Sequence, residues 1–270
     1  NIKETIYEHC KRAIAKACNF GENGLPKIGI GDWNDGFSNI GPNEKGESVW
    51  LGFFLYMILK AFSKITDYKK EEELTKKYED TAKILKQNLN ANAWDGRWFK
   101  RAFADNGDVY GSMENEECKI DSIAQSWSVI SGAGEEAKQI QAIESLENHL
   151  IDKENGIIKL LDPPFEKSKL EPGYIKAYVP GVRENGGQYT HAAIWAIIAE
   201  AILGKGDKAV ELYRMITPIE HARTKESANK YKVEPYVIAA DVYGAQNLSG
   251  TGGWTWYTGS SSWYYLAGIE

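Results

Sequence analysis

The chain has 270 residues, 43% of them apolar and 26% charged, which suits a globular protein with one large core or two modest ones. A formal net charge of −6 argues against a nucleic-acid surface, which needs a basic excess, and three cysteines without metal-type spacing indicate neither a disulfide framework nor a zinc site. Nine Trp and 15 Tyr, many beside Gly, Asn and Asp, suit stacking on sugar rings, although Trp also fills cores.

In chain order, residues 2–18 place Ile2, Ile6, Cys10, Ala13, Ile14 and Ala17 on one stripe, the spacing of a half-buried helix. Cys10 and Cys18 read as small core residues there, and unpaired cysteines without a signal peptide point to a reducing, cytoplasmic setting. Residues 48–65 are apolar almost all round and predict a helix enclosed by others. The apolar run at 49–62 is interrupted by Lys60 and too short to span a bilayer, so no direct membrane contact is expected. Residues 70–92 form a long charged helix with Leu74, Tyr78, Ala82, Leu85 and Leu89 facing in and a solvated "KKEEE" start.

Further helices are predicted over 121–131, 134–150, 188–203, 206–216, 234–243 and 260–267. Ser122 and Gln125 stand in capping-box spacing, and Gly204 and Gly206 mark a short helix–helix turn. Between some neighbours run long irregular stretches, at 19–47, 94–120, 152–187 and 244–259. The third contains "DPPF" and "EPGYIKAYVPG", where Pro excludes helix. Paired helices set around a ring would bring the long loops together at one end, as a site. No repeat of fixed period supports a solenoid, and nine helices fall short of six hairpins. The chain starts at Asn1 inside a helix, which suggests a fragment of something longer, with 1–270 as one domain.

Three loops carry the chemistry. "GDWNDGFSNIG" (31–41) sets Asp32 and Asp35 around Trp33, an acid for a glycosidic oxygen beside a flat apolar face for a pyranose. A bare turn would use Asp, Asn and Gly too, but has little use for the Trp. "RENGGQYTH" (183–191) and "GGWTWYTGSSSW" (252–263) each end at a predicted helix start, where unpaired N–H groups can hold an anion. Thr258 or Ser260 could instead merely cap its own helix, and His191 could be an ordinary helix-start histidine. A hydrolase needs two carboxylates across the sugar, and Asp32 and Asp35 are too close in sequence for that, with Glu184 as a distant partner. If inorganic phosphate attacks instead, one acid and an anion pocket suffice. No metal-ligand spacing, nucleophile elbow or phosphate-binding glycine loop is present.

Six blocks, "GLPKIGIGDWNDG", "GESVWLGFF", "IDSIAQSWSVISG", "GYIKAYVPGVRENGGQYTHAA", "YKVEPYVIAADVY" and "GGWTWYTGSSSW", resemble in this order the phosphorylases of glycoside hydrolase family 94 over nearly the whole chain. Their wording is most similar to the β-1,2-glucan members. That resemblance implies an all-α (α/α)6 barrel, here incomplete, and inverting transfer of a glucosyl unit between a β-glucan end and phosphate, with no other cofactor. It implies Asp35 as general acid, Trp33, Glu184 and Gln188 as sugar contacts, and His191, Thr258 and Gly259 around phosphate. Asp32 is left as a support for the loop. The resemblance also implies upstream helices and a β-sandwich, not present before Asn1. Their absence would expose helix faces for a second copy or the missing half to cover. The alternatives are a glucoamylase-like hydrolase, a carbohydrate-binding module without catalysis, or the barrel segment of a membrane-bound synthase.

Overall fold

The computed structural model describes residues 3–256 and 258–269, so Ile2 of the first stripe and Tyr257 of the third loop lie outside the described residues. Helix α1 (Ile6–Ala17) is followed by β1 (Glu47–Ser48), α2 (Val49–Tyr68) and α3 (Glu72–Asn92). Strands β2 (Ala102–Phe103), β3 (Val109–Tyr110) and β4 (Ile120–Asp121) precede α4 (Ser122–Ile130) and α5 (Glu136–Leu150). Next come β5 (Ile151–Asp152), β6 (Ile157–Ile158), β7 (Leu161–Asp162) and β8 (Gln188–Tyr189), which leads into α6 (Thr190–Ile202) and α7 (Gly206–Met215). The chain closes with α8 (Pro218–His221), α9 (Lys225–Tyr231), β9 (Asp241–Val242) and α10 (Ser260–Ile269).

The short connections make three helical hairpins, α2/α3, α4/α5 and α6/α7. Their first helices lie against one another in the order α2, α4, α6, and α10 packs on α6. The sequence explains which helices go inside. Helix α6 buries Ala192, Ala193, Ile194, Trp195, Ala196, Ile197 and Ala199, so it is apolar nearly all round and its small residues admit neighbours closely. Helix α3 buries Tyr78, Ala82, Leu85 and Leu89, one stripe at helical spacing, with Asn90 beside it, and stays outside on α2.

Each long loop runs into the N-terminus of an inner helix. Short antiparallel ladders stitch these loops together, β1 to β2 to β3, β4 to β7, and β8 to β9. The N-termini of α2, α4 and α6 therefore sit beneath one layer of loops.

Several expectations are corrected. Residues 234–243 are not a helix; Pro235 lies in it, and the segment ends as β9, whose backbone pairs with β8. Helices α8 and α9 fall where none was predicted, started by Thr217 and by a Thr224–Ser227 capping box. At α4 the cap is Asp121, whose Oδ1 accepts from Ile123 N at 2.9 Å, rather than Ser122. Gln125 instead clamps Phe99, accepting from its N and donating to its O, both at 2.8 Å. On α1 only Ile14 is buried, and Ile6 is 83% exposed. The Pro-rich stretch holds one 3-10 turn at Tyr174–Ala177. Helix α2 is long and apolar enough to cross a membrane by length and composition, but half of it is buried in this fold.

One buried acid shapes the pH dependence of stability. Glu200 on α6 has no exposed side-chain surface and lies 3.6 Å from Lys205 Nζ, which sits 2.6 Å from Glu147. Burial first, then the neighbouring Glu147, pushes its carboxyl up to about 7 against the pull of Lys205. The folded chain thus holds a proton that the unfolded chain releases near pH ~4.3. This stabilisation is complete below that value and is lost as pH rises through about 7. Glu200→Gln is expected to remove roughly 1–3 kcal/mol of that decline, read as a flatter melting temperature across this pH range.

Candidate active site

The loop that begins at Gly31 answers why two acids stand three residues apart. Asp32 Oδ1 accepts from Asn34 N at 2.9 Å, and Asn34 Oδ1 accepts from Gly36 N at 3.1 Å. These successive side-chain turns coil the loop tightly. Gly31 has φ +136°, and a Cβ there would lie 3.1 Å from the Asp35 Cα, so only glycine lets the loop fold back. Asp32 faces inward, with no exposed side-chain surface, and Asp35 is exposed. The two carboxylates therefore have different work.

Asp32 is gripped by a residue that the sequence reading did not single out. Arg101, fully buried, makes two parallel bonds of 2.7 Å from its guanidinium to the Asp32 carboxylate. Its Nε lies 3.3 Å from Asp121 Oδ2, and the Phe37 ring covers its face at 4.8 Å. Asp32 also accepts from Ser48 Oγ at 2.6 Å, and Ser48 caps α2. One buried cation thus ties the Asp35 loop to the starts of α2 and α4. Burial pushes the Asp121 carboxyl up to about 6, opposed by Arg101.

Trp33 points the other way, into an aromatic cluster. Its ring lies 5.3 Å from Tyr189, 6.0 Å from His191 and 5.1 Å from Trp195. Beneath, Trp195 meets Trp50, Trp127 and Trp263. Trp50, Trp127 and Trp195 are buried, so much of the tryptophan that suggested sugar stacking fills the core.

His191 stands in the first turn of α6, and Gly259 immediately precedes α10. A Cβ on Gly259 would lie 3.3 Å from His191 Nε2, so the two predicted anion positions are brought side by side. Two helix N-termini, each with a partial positive charge, converge there. Burial lowers the His191 pKa, which favours the neutral imidazole near pH 7. Thr258 does what the plain capping reading expected: its Oγ1 accepts from Ser260 N at 3.1 Å and lies 2.6 Å from Ser260 Oγ.

Glu184 is 7% exposed, with its Oε2 3.4 Å from Arg183 Nε. Burial raises its pKa against the pull of Arg183, and repulsion from Asp35 adds to the rise, so Asp35 is close enough to be felt. Tyr174 connects to the same acid: burial first, then a hydrogen bond to the Asp35 carboxylate, raises its phenol pKa. Gln188 is 1% exposed, and its Oε1 accepts from Ile158 N at 3.0 Å, so its carboxamide oxygen serves the backbone of β6. Asp241 faces Tyr189 in the β8–β9 ladder and accepts from Trp254 N at 3.0 Å, fastening the last loop to this layer.

A family model described as the catalytic domain of the glycosyl hydrolase 94 superfamily matches residues 1–270. The chain belongs to that family. Cyclic beta-(1,2)-glucan synthase NdvB of Rhizobium meliloti (strain 1021) is 48% identical over 266 residues, which are 98% of this chain and 9% of that protein. Solabiose phosphorylase of Paenibacillus borealis is 32% identical over 97% of this chain and 34% of its own length. N,N'-diacetylchitobiose phosphorylase of Vibrio furnissii is 28% identical over 97% and 32%. The chain therefore spans a tenth to a third of the length of these relatives. In fold, a family GH78 rhamnosidase of Bacillus sp. GL1 superposes with a TM-score of 0.51 over 84% of this chain and 19% of that one, at 12% identity. This family 94 domain is mainly helical.

Arg101 and Tyr174 are the neighbours of the acid loop that sequence reasoning missed. Arg101 is 69 positions from Asp32, with no local signal to pair them. Tyr174 lay in a noted proline-rich stretch, whose closeness to Asp35 arises only when Ile175 N bonds Gly36 O at 3.1 Å.

Proposed function

We propose that this domain catalyses inverting phosphorolysis at the non-reducing end of a β-1,2-linked glucan, giving α-glucose 1-phosphate and a chain one unit shorter. The observation that carries the reading is the meeting of His191 and Gly259 at two helix starts, beside Trp33 and two residues from the exposed Asp35. An oxygen of phosphate attacks the anomeric carbon from the face opposite the glycosidic bond. As that bond breaks, Asp35 gives its proton to the departing oxygen. In reverse, Asp35 takes a proton from the acceptor hydroxyl while phosphate leaves.

Phosphate is the co-substrate, and no further cofactor is invoked. It rests against the adjoining His191 and Gly259 and accepts a hydrogen bond from the Thr258 hydroxyl when Ser260 Oγ donates to Thr258. Trp33 and Glu184 hold the sugar; the buried Gln188 supports that wall through β6. The pairing of Glu184 with Arg183 favours phosphate over a water activated by a second carboxylate. The 48% identity to a glucan synthase supports the β-1,2 linkage. The row α2, α4, α6 and α10, with α3, α5 and α7 outside, supports an (α/α)6 barrel architecture. Three unpaired thiols support a cytoplasmic location.

The test is β-1,2-glucan incubated with and without phosphate, followed by product analysis. Glucose 1-phosphate formed only with phosphate supports the reading, and free glucose released without phosphate refutes it. Gly259→Ala, which pushes a methyl toward His191, is expected to raise the KM for phosphate about tenfold or more with a smaller change for the glucan.

A further inference from the structure

Most large apolar side chains of this fold are buried, yet four aromatic residues of the loop segments are not. Tyr174 is 44% exposed, Trp254 57%, Trp256 69% and Tyr236 75%. Singly exposed rings need no explanation, but a connected row does. Tyr174, whose phenol feels the Asp35 carboxylate, meets Tyr178 edge to face at 6.2 Å. The Arg183 guanidinium lies over Tyr178 at 5.1 Å and over Trp254 at 6.0 Å. Two residues on, Trp256 meets Tyr236 at 6.2 Å and donates from Nε1 to Glu234 Oε1 at 2.9 Å.

Arg183 thus joins the Tyr174–Tyr178 pair to Trp254, and the chain carries on from Trp254 to the Trp256–Tyr236 pair. The ring pairs Tyr174–Tyr178 and Trp256–Tyr236 are each spaced 6.2 Å, comparable to the length of one hexopyranose. The character of the row is amphipathic rather than greasy: Arg183 sits between two rings, and Glu234 holds the edge of a third. Flat apolar faces bordered by charged hydrogen-bonding groups match a sugar, whose ring offers C–H faces and a hydroxyl rim. The backbone favours the placement as well. Trp256 sits at φ +65°, where a bulky side chain is costly and is kept when its position matters.

We propose that Tyr174, Tyr178, Arg183, Trp254, Trp256 and Tyr236 form a track that binds several consecutive units of a β-glucan chain beyond the bond at Asp35. The preferred substrate is then an extended chain, and a disaccharide uses only the first part of the track. This rests on the phosphorylase reading for the bond being made or broken; the binding itself does not depend on turnover.

The test uses Trp256→Ala and Tyr236→Ala, singly and together, at the far end of the row from the acid. In the synthetic direction, with glucose 1-phosphate as donor, the double variant is expected to raise the KM for a long linear β-1,2-glucan about tenfold. The KM for the β-1,2-linked disaccharide is expected to stay within about twofold of the unsubstituted protein. Equal KM changes for long and short acceptors, or none for either, would overturn the track. A change of sedimentation behaviour in place of the KM change would reassign the row to contact between copies. Tryptophan fluorescence of Asp35→Asn protein, titrated with the same long glucan, separates the two readings. A saturable shift, lost when Trp256→Ala and Tyr236→Ala are added to Asp35→Asn, supports the track even if no substrate turns over; no shift overturns it whatever the activity.

Discussion

Asp35→Asn is expected to lower turnover by roughly 10²–10⁴-fold while leaving the melting temperature nearly unchanged. The side chain is exposed, so the fold loses little. The amide keeps the shape of the carboxyl but cannot deliver a proton to the departing oxygen. The loss should therefore fall on kcat and leave the KM for phosphate nearly alone, because the anion position at His191 and Gly259 is built from other elements. It should also depend on the leaving group. A donor whose departing oxygen needs no proton, such as an activated aryl glucoside, should recover most of the rate. An equal loss for both donors would mean that Asp35 positions sugar and does not transfer the proton.

The second large effect is on stability. Arg101→Met leaves the Asp32 and Asp121 carboxylates buried without their cation, and removing one partner of a buried ion pair costs about 3–5 kcal/mol. The melting temperature is expected to fall by roughly 10 °C. Activity should fall with it, even at temperatures where the variant is folded, because Asp32 anchors the turn that presents Asp35. Arg101→Lys retains the charge but not the paired bonds, and should lie between the two. Asp121→Asn is the milder partner change, since that carboxyl already titrates near pH 6 and its cap to Ile123 N survives in the amide. Full activity in folded Arg101→Met protein would separate Asp35 from the buried knot beneath it.

What could be read in the sequence was what local periodicity and chemistry carry. The stripe from Tyr78 to Leu89 on α3, the all-round apolar character of α2, and the glycine stop between α6 and α7 follow from residue spacing alone. So did the loops at Trp33, Glu184 and Thr258, because Gly, Asn, aromatics and acids collect there. Hidden from view was everything set by pairing across long stretches. Residues 234–243 looked helical because their apolar spacing fits a helix, but the β8 backbone claims Asp241 and Val242. Gln125 looked like a cap and is a clamp on Phe99. The division of labour between Asp32 and Asp35 needed Arg101, which no window around residue 32 contains.

The most direct test of the account is phosphate release from α-glucose 1-phosphate, with a β-1,2-linked glucose disaccharide and a β-1,4-linked one offered as acceptors in parallel and Asp35→Asn protein as control. Release with the β-1,2 acceptor, weaker or absent with the β-1,4 acceptor and lost in the variant, is the predicted result. Release that persists undiminished in Asp35→Asn, or that favours the β-1,4 acceptor, would contradict it.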